Sequence, residues 1–131
     1  MKFMISLLTA ALPLASFAQS QSGGAPGVPV PKTTEVLVIL TAKQGVTPQQ
    51  ILPFMPSEIR ATVKLYFDGK IRQWYSRGDG KGVIFLVDAN TVDEARALME
   101  TLPLAKTNLM DHVYIPVGPS LRALMGPGAQ Q

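Results

Sequence analysis

The sequence predicts an α+β domain of the ferredoxin-like βαββαβ class, with a four-stranded antiparallel sheet and two helices on one face. The first observation behind this prediction is the order of elements in residues 34–125, which runs strand, helix, two strands, helix, strand. The second is the contrast across a hairpin at Lys70–Asp88. There a polar and aromatic strand, the turn Gly78–Gly82 and the apolar run Val83–Val87 follow one another.

The first half of the domain predicts one strand and one main helix. Glu35–Thr41 has a continuous apolar centre and predicts a strand. Thr47 followed by Pro48 is a good helix start, so we expect a helical turn over residues 48–52 and a main helix over residues 56–67. The spacing in the main helix predicts an apolar face made of Ile59, Val63, Tyr66 and Phe67.

The second half predicts a helix and a final strand after the hairpin. Gly69 is expected to end the main helix in a left-handed conformation. Thr91 and Glu94 form a capping box that opens the second helix, and Pro103 is expected to end it. The last strand is predicted over His112–Val117. The residues expected to form the buried stripe of the second helix are Ala95, Leu98, Met99 and Leu102.

The composition of the strands predicts their order in the sheet. Right-handed crossovers place the first and third strands in the centre and the second and fourth at the edges. Val36–Leu40 and Val83–Val87 are unbroken apolar runs, as is typical of strands buried on both faces. The residues typical of edge strands are Arg72, Gln73, Ser76, Arg77 and Pro116.

The same apolar runs predict a homodimer that forms through the sheet faces. Two helices can cover only one face of a four-stranded sheet, so a second copy of the sheet is the simplest cover for the other face. Each central side chain buried in this way contributes about 1.5–3 kcal/mol. The alternative is that these short strands are hydrophobic without a partner.

The segments outside the domain have the composition of a leader, a tether and a tail. Lys2, a short apolar run that contains Pro13, and small residues before Gln19 predict a signal peptide over residues 1–18 that is cut after Ala18. The run is well below the roughly 20 residues that a spanning helix needs, so no membrane insertion is expected after cleavage. The protein is therefore expected to be secreted or periplasmic.

Two further segments are expected to lack regular structure. Residues 19–33 are rich in Gly, Pro and Ser and predict a flexible linker. Residues 126–131 predict a disordered tail.

Composition also excludes several classes of function. The chain has no cysteine, which excludes disulfides, thiolate nucleophiles and cysteine metal sites. The formal net charge is only +3 and the basic residues are scattered, so nucleic-acid binding through a basic patch is not expected. The His, Asp and Glu residues show no metal-ligand spacing, and the sequence predicts neither a metal nor another cofactor.

Three stretches of the domain are distinctive: the strand IRQWY at residues 71–75, the capped helix TVDEARALMETLPL at 91–104 and the closing stretch LMDHVYIP at 109–116. Together they resemble the muconolactone isomerase-like family of the dimeric α+β barrel superfamily. The resemblance extends over residues 36–119 and implies a ferredoxin-like subunit, a dimer that closes two sheets into a barrel, and a pocket between sheet and helices. It also implies cofactor-independent isomerase or lyase chemistry on a small oxygenated cyclic compound. The export signal and the tether depart from the cytoplasmic isomerase.

Moving a double bond next to a carbonyl requires a base, a group that returns the proton and a donor that stabilises the oxyanion. The candidate catalytic residues are His112, Arg72 and Tyr75. The candidate ligand-binding residues are Tyr66, Trp74, Arg77 and Tyr114. Further candidate bases are Asp111, Asp68 and Glu58.

Strand geometry limits how these candidates can combine. The two edge strands are three strand spacings apart, about 14 Å, so His112 cannot bond directly to Tyr75 or Arg72 within one sheet. Strict alternation groups Arg72 with Trp74 and Ser76, and groups Tyr75 with Ile71 and Gln73, so only one group can line a pocket. His112 can equally be a surface or interface histidine, and the aromatic residues can be packing contacts.

Two functions from different classes remain open at this point. One is an exported, cofactor-independent isomerase or lyase. The other is a non-catalytic, periplasmic dimeric module that binds a small organic molecule. A purely structural dimer on a tether is a third alternative.

Overall fold

The structure, a computed structural model, describes residues 30–125. The expected signal peptide 1–18, most of the expected linker 19–33 and the expected tail 126–131 lie outside the described residues. From Pro31 onward the described chain belongs to one compact unit. Its strands are β1 (Glu35–Ala42), β2 (Ile71–Ser76), β3 (Gly82–Val87) and β4 (Met110–Val117). Its α-helices are α1 (Pro48–Ile51), α2 (Met55–Phe67), α3 (Val92–Met99) and α4 (Leu121–Leu124), with 3-10 turns at Leu52–Phe54 and Pro103–Thr107.

The four strands form one antiparallel sheet in the order β2-β3-β1-β4. This confirms the predicted sheet order, with the apolar strands β1 and β3 in the centre. The registers place Val38 between Phe85 of β3 and Tyr114 of β4. The α+β class and the order of elements are those of a ferredoxin-like fold.

One face of the sheet packs against the helices and forms the core. Alternate residues of β1 and β3 are buried on this face, while α3 and the segment after it supply the opposing side chains. The buried apolar residues include Val36, Val38, Leu40, Phe85, Val87, Ala95, Met99, Leu102 and Leu104.

The opposite face of the sheet, called here the free face, is an apolar surface within the described chain. The strand registers align two rows across it, Ile84–Ile39–Val113 and Leu86–Leu37–Ile115. Val113 and Ile115 are 51% and 41% exposed, and the central residues of both rows are only half-buried. A single chain therefore buries its central strands fully on the helix side alone.

Helix α2 packs with a face other than the predicted one. Phe67 is 80% exposed and Ile59 and Tyr66 are also exposed, whereas Glu58 and Thr62 are buried. The predicted apolar face is thus wrong as a buried face. The inward-facing residues recur at helical spacing, and they are Met55, Glu58, Ala61, Thr62 and Leu65.

Two hydrogen-bonded features hold α2 in this orientation. Glu58 Oε2 accepts a bond from the backbone N–H of Leu104 at 2.8 Å, which fixes that side of the helix against the Pro103–Thr107 turn. At the other end, Gly69 has φ +74°. The N–H groups of Gly69 and Lys70 donate to the carbonyls of Tyr66 and Leu65 in the pattern of a Schellman motif, which confirms the predicted glycine stop.

Helix α3 has the predicted start but an earlier end. Thr91 Oγ1 accepts from the N–H of Glu94 at 3.1 Å, and the Glu94 carboxylate accepts from Asn90 N–H rather than from Thr91. The helix ends at Met99, not at Pro103. Leu102 is extended, with ψ 144°, because a residue before proline is disfavoured in the helical region.

Strand β2 contains a bulge that overturns the expected division of its side chains between the two faces. The register shifts by one residue between Ile71 and Gln73, so Arg72 is an extra residue opposite β3. Ile71 is in the core and Trp74 also lies on the helix side. Arg72 and Gln73 therefore share the free face, although strict alternation separates them.

Ion pairs from Arg72 stabilise the bulge. Its guanidinium binds the carboxylate of Glu35 on β1 and, at 2.9 Å, that of Asp88 after β3. All three side chains are partly exposed, so we expect each pair to contribute less than about 1 kcal/mol. Their effect is mainly to fix where the extra residue lies.

Gly82 should be the least replaceable glycine of the hairpin. A Cβ atom added there would lie 2.0 Å from the carbonyl oxygen of Leu40, whereas one added at Gly78 would meet nothing within 4 Å. We therefore predict that Gly82→Ala lowers the free energy of unfolding by about 3 kcal/mol, because backbone atoms of β1 must move, while Gly78→Ala changes it by less than about 0.5 kcal/mol. Urea unfolding followed by circular dichroism measures both values, and equal values would contradict the close approach.

Candidate functional site

A groove of about 880 Å³, called here the main groove, lies between the α1–α2 segment and the helix side of the sheet. It is placed where β1 ends and β3 begins. Its lining is predominantly apolar, which is typical of sites for small organic molecules. The apolar lining residues include Leu40, Phe85, Met110, Ile51, Met55 and Leu104.

Helix α2 contributes both apolar and polar side chains to the main groove. Met55, Glu58, Ile59 and Thr62 line the groove, while Val63 and Phe67 of the same helix do not. The orientation of α2 thus places its one buried carboxyl group in the wall of the groove.

Glu58 is the most unusual titratable group of the groove. The residue is 5% exposed, and its Oε2 accepts the hydrogen bond from Leu104 N–H. Burial raises the pKa of Glu58 above its ordinary value of 4.5, and the hydrogen bond from Leu104 opposes this rise in part. A carboxyl group in this state keeps its proton to a higher pH than an exposed one, which suits a general acid or base.

Polar groups at the rim could orient a bound molecule. Lys43, Gln44, Lys81 and Asp111 line this part of the groove. Lys43 Nζ donates to Asn108 Oδ1 at 2.6 Å, so its ammonium is already held in place. These side chains can donate to or accept from an oxygenated ligand whose apolar body lies deeper in the groove.

Of the aromatic residues predicted to bind a ligand, only some lie at or near the main groove. Trp74 lines it, and the Tyr66 ring packs edge-to-face on the Trp74 ring with centroids 5.7 Å apart. Both side chains are partly exposed. Trp74 therefore contributes an aromatic ring to the groove wall, and Tyr66 packs on that ring without lining the groove itself.

His112 and Tyr114 lie elsewhere, in a smaller pocket of about 300 Å³ between α3 and β4. Their rings are stacked with centroids 6.2 Å apart, and the guanidinium of Arg96 lies 5.0 Å from the Tyr114 centroid. Burial lowers the pKa of His112 and raises the pKa of Tyr114. The imidazole is therefore predominantly neutral at neutral pH, and it does not line the main groove.

Arg72, Tyr75 and Arg77 belong to neither pocket. Arg72 lies on the free face in its ion pairs, and Tyr75 pairs with Ile84 in the same face of the sheet. Arg77 donates to Thr41 Oγ1 and pairs with the Asp79 carboxylate. The predicted catalytic set of His112, Arg72 and Tyr75 is therefore distributed over two faces and is not assembled within one chain.

Sequence reasoning included Glu58 only as one of several candidate bases. The amphipathic pattern predicted a different side of α2 as the buried one, with Ile59, Val63 and Phe67, and it did not include Glu58. The signal for the buried side was the helical spacing of Glu58 with Met55, Thr62 and Leu65. Because Glu58 and Thr62 are polar, this side is less apolar than the predicted one, and the amphipathic rule does not select it.

Two further findings apply to residues 30–125 only. This part of the chain contains no group of three or more His, Cys, Asp or Glu side chains that could hold a metal ion. None of its helices is long and apolar enough to cross a membrane.

The burial of Glu58 predicts a pH-dependent cost to stability. Because its folded pKa is raised, the folded state binds more protons, and the free energy of unfolding should fall as pH rises from about 4.5 through the raised pKa. Glu58→Gln keeps an acceptor for Leu104 N–H and cannot ionise. We predict that Glu58→Gln stabilises the protein relative to wild type more at neutral pH than at acidic pH. Urea unfolding across this range checks it, and parallel curves for both proteins would contradict it.

No protein-family model matches this chain, and no curated protein matches its sequence significantly.

Proposed function

We propose that the main groove binds a small oxygenated cyclic compound and that Glu58 transfers a proton on it, which makes the protein a cofactor-independent isomerase or lyase of the muconolactone isomerase-like type. The observation that carries this proposal is a single buried carboxyl group of raised pKa in the wall of an otherwise apolar groove. A perturbed carboxyl group in a concave apolar site is a recurring property of acid–base catalysts.

The size and lining of the main groove support a small-molecule ligand. Its volume of about 880 Å³ falls in the range of roughly 300–1,000 Å³ that is usual for such sites. The apolar walls favour a ring or hydrocarbon body, and the polar rim favours an oxygen function near the mouth. A long polar chain would find few partners along these walls.

The chemistry that fits this site is a proton shift beside a carbonyl. Glu58 as carboxylate removes a proton from the carbon next to the carbonyl, and the electron pair moves onto the carbonyl oxygen as an enolate. Donors at the rim, such as Lys43 or Lys81, stabilise that oxygen. Glu58 as carboxylic acid then returns the proton at the far carbon of the conjugated system, so the double bond moves and the atoms balance.

A specific observation also favours a second function, which is binding without catalysis. Glu58 already accepts a hydrogen bond from Leu104, and all three predicted catalytic side chains, His112, Arg72 and Tyr75, lie outside the main groove. An exported dimeric module that holds a small organic molecule would need only the groove. The two proposals differ in whether a bound compound is converted.

We further propose that the protein is an exported homodimer formed through the free face. The two apolar rows of that face support it, because exposed apolar patches of this kind usually mark interfaces. The leader-like sequence of residues 1–18 supports the location.

The catalytic proposal predicts that Glu58→Gln lowers turnover of a small unsaturated lactone by about a hundredfold or more. The wild-type rate should rise with pH through the raised pKa of Glu58, because the carboxylate is the base. Absorbance assays over a panel of such lactones measure both effects. Asp68→Asn, which changes an exposed carboxylate outside the groove, is the matched control.

Two results separate the alternatives. If a lactone binds to wild type and to Glu58→Gln with similar affinity and neither protein converts it, the binding module is correct and the isomerase is not. If turnover is lost on His112→Ala instead of Glu58→Gln, the smaller pocket is the catalytic site.

The dimer proposal predicts that Val113→Glu yields a folded monomer. Val113 is half-exposed within one chain, so the fold should tolerate the charge, whereas a sheet-to-sheet interface would bury it without a partner. Sedimentation velocity at micromolar concentration measures the state, with Lys106→Glu as an exposed control. A wild-type protein that sediments as a monomer would refute the interface.

A further inference from the structure

An apolar ridge that neither the core nor the free face uses runs along the outward side of α2 and includes one residue of the preceding 3-10 turn and one of β2. The ridge consists of Leu52, Ile59, Val63, Tyr66, Phe67 and Trp74. Leu52 is 61% exposed, and Phe67 is the most exposed large apolar residue of the described chain. Ile59, Val63 and Phe67 recur every four residues and so lie along one side of the helix.

Positively charged residues lie next to this ridge. Arg60 and Lys64 each follow a ridge residue by one position, and Lys70 follows the end of the helix; all three are exposed. The exposed acidic residue of this segment is Asp68, and residues 48–54 carry no charge. The surface is therefore positive as well as apolar and aromatic.

The ridge continues into the mouth of the main groove. Leu52, Ile59 and Trp74 are at once exposed on the ridge and part of the groove lining. An apolar surface thus runs without interruption from the outside of α2 into the groove. A partner on the ridge would lie directly against the opening.

We propose that the ridge docks the protein on the surface of a lipid bilayer that contains anionic lipids, with the main groove open toward the lipid. Aromatic and aliphatic side chains insert at the interface while Arg60 and Lys64 meet anionic headgroups, as in other peripheral amphipathic helices. A compound dissolved in the bilayer can then enter the groove without crossing water. This last step rests on the proposed ligand site, but the docking does not.

Charge decides between a bilayer and a protein partner. A protein that covers the ridge would have to offer an apolar groove with acidic rims, whereas an anionic bilayer supplies both properties at once. Tyr, Trp and Phe beside Lys and Arg are also the residues favoured at a membrane interface.

The only tryptophan of the chain, Trp74, reports the docking directly. The chain from Gln19 onward should be used, because it lacks the apolar leader that could itself bind lipid. Mixed phosphatidylcholine–phosphatidylglycerol vesicles should shift Trp74 emission to shorter wavelength and carry the protein into the vesicle pellet. Pure phosphatidylcholine vesicles should do so much less, and salt should weaken binding to the mixed vesicles.

Two double variants test separately the apolar side chains of the ridge and the cations beside it. The double variant Leu52→Ser, Phe67→Ser should lower vesicle affinity by about tenfold or more, since buried apolar area sets the strength of interfacial binding. The double variant Arg60→Gln, Lys64→Gln should strongly reduce the preference for anionic lipid, since it leaves only Lys70 of the three cations. Lys32→Gln, which removes an exposed cation before β1, is the control and should bind as wild type does.

Several outcomes would overturn the proposal. These are no emission shift and no pelleting with mixed vesicles, equal binding by wild type and the Leu52→Ser, Phe67→Ser variant, or loss of self-association in that variant with no effect on lipid. Glu58→Gln should leave vesicle binding unchanged. Failure of docking and failure of the catalytic proposal are therefore distinguishable.

Discussion

The orientation of α2 about its own axis is the constraint on which the other features of this molecule depend. Turning Glu58 and Thr62 toward the sheet puts two polar side chains into the wall of the main groove. The same turn takes Glu58 out of water, which raises its pKa, and leaves Ile59 and Phe67 outside. The bond from Leu104 N–H to Glu58 supports this arrangement, because a buried carboxyl group without a partner would favour rotation of the helix outward.

The sheet could be predicted from the sequence because its signals are local. Unbroken apolar runs indicated which strands are central, and a glycine-rich turn indicated the hairpin; both are confirmed. The bulge could not be predicted in the same way. Its position depends on the pairing of Arg72 with Glu35, which is distant in sequence, and with Asp88 across the hairpin. Strict alternation along β2 therefore grouped Arg72 with Trp74 and Ile71 with Gln73. The bulge instead puts Arg72 on the same face as Gln73, and Ile71 on the same face as Trp74.

The candidate site was less predictable than the fold. The amphipathic rule assumes that the more apolar side of a helix faces the core, and α2 does not obey it. His112 was preferred as the base because it is the only histidine of the chain and an ordinary imidazole titrates near neutral pH. The structure separates His112 and Glu58 into different pockets, so residue type alone was a poor guide to which groups act together.

The bulge in β2 also bears on how the length of this strand can change. Because Arg72 and Gln73 share a face, deletion of Arg72 would restore regular alternation and leave Ile71 and Trp74 on the helix side. A deletion between Gln73 and Ser76 would instead exchange the faces of every residue on one side of it. A deletion in this strand is therefore tolerable at one position, Arg72, where it sacrifices the ion pairs of that residue but preserves the core and the groove wall.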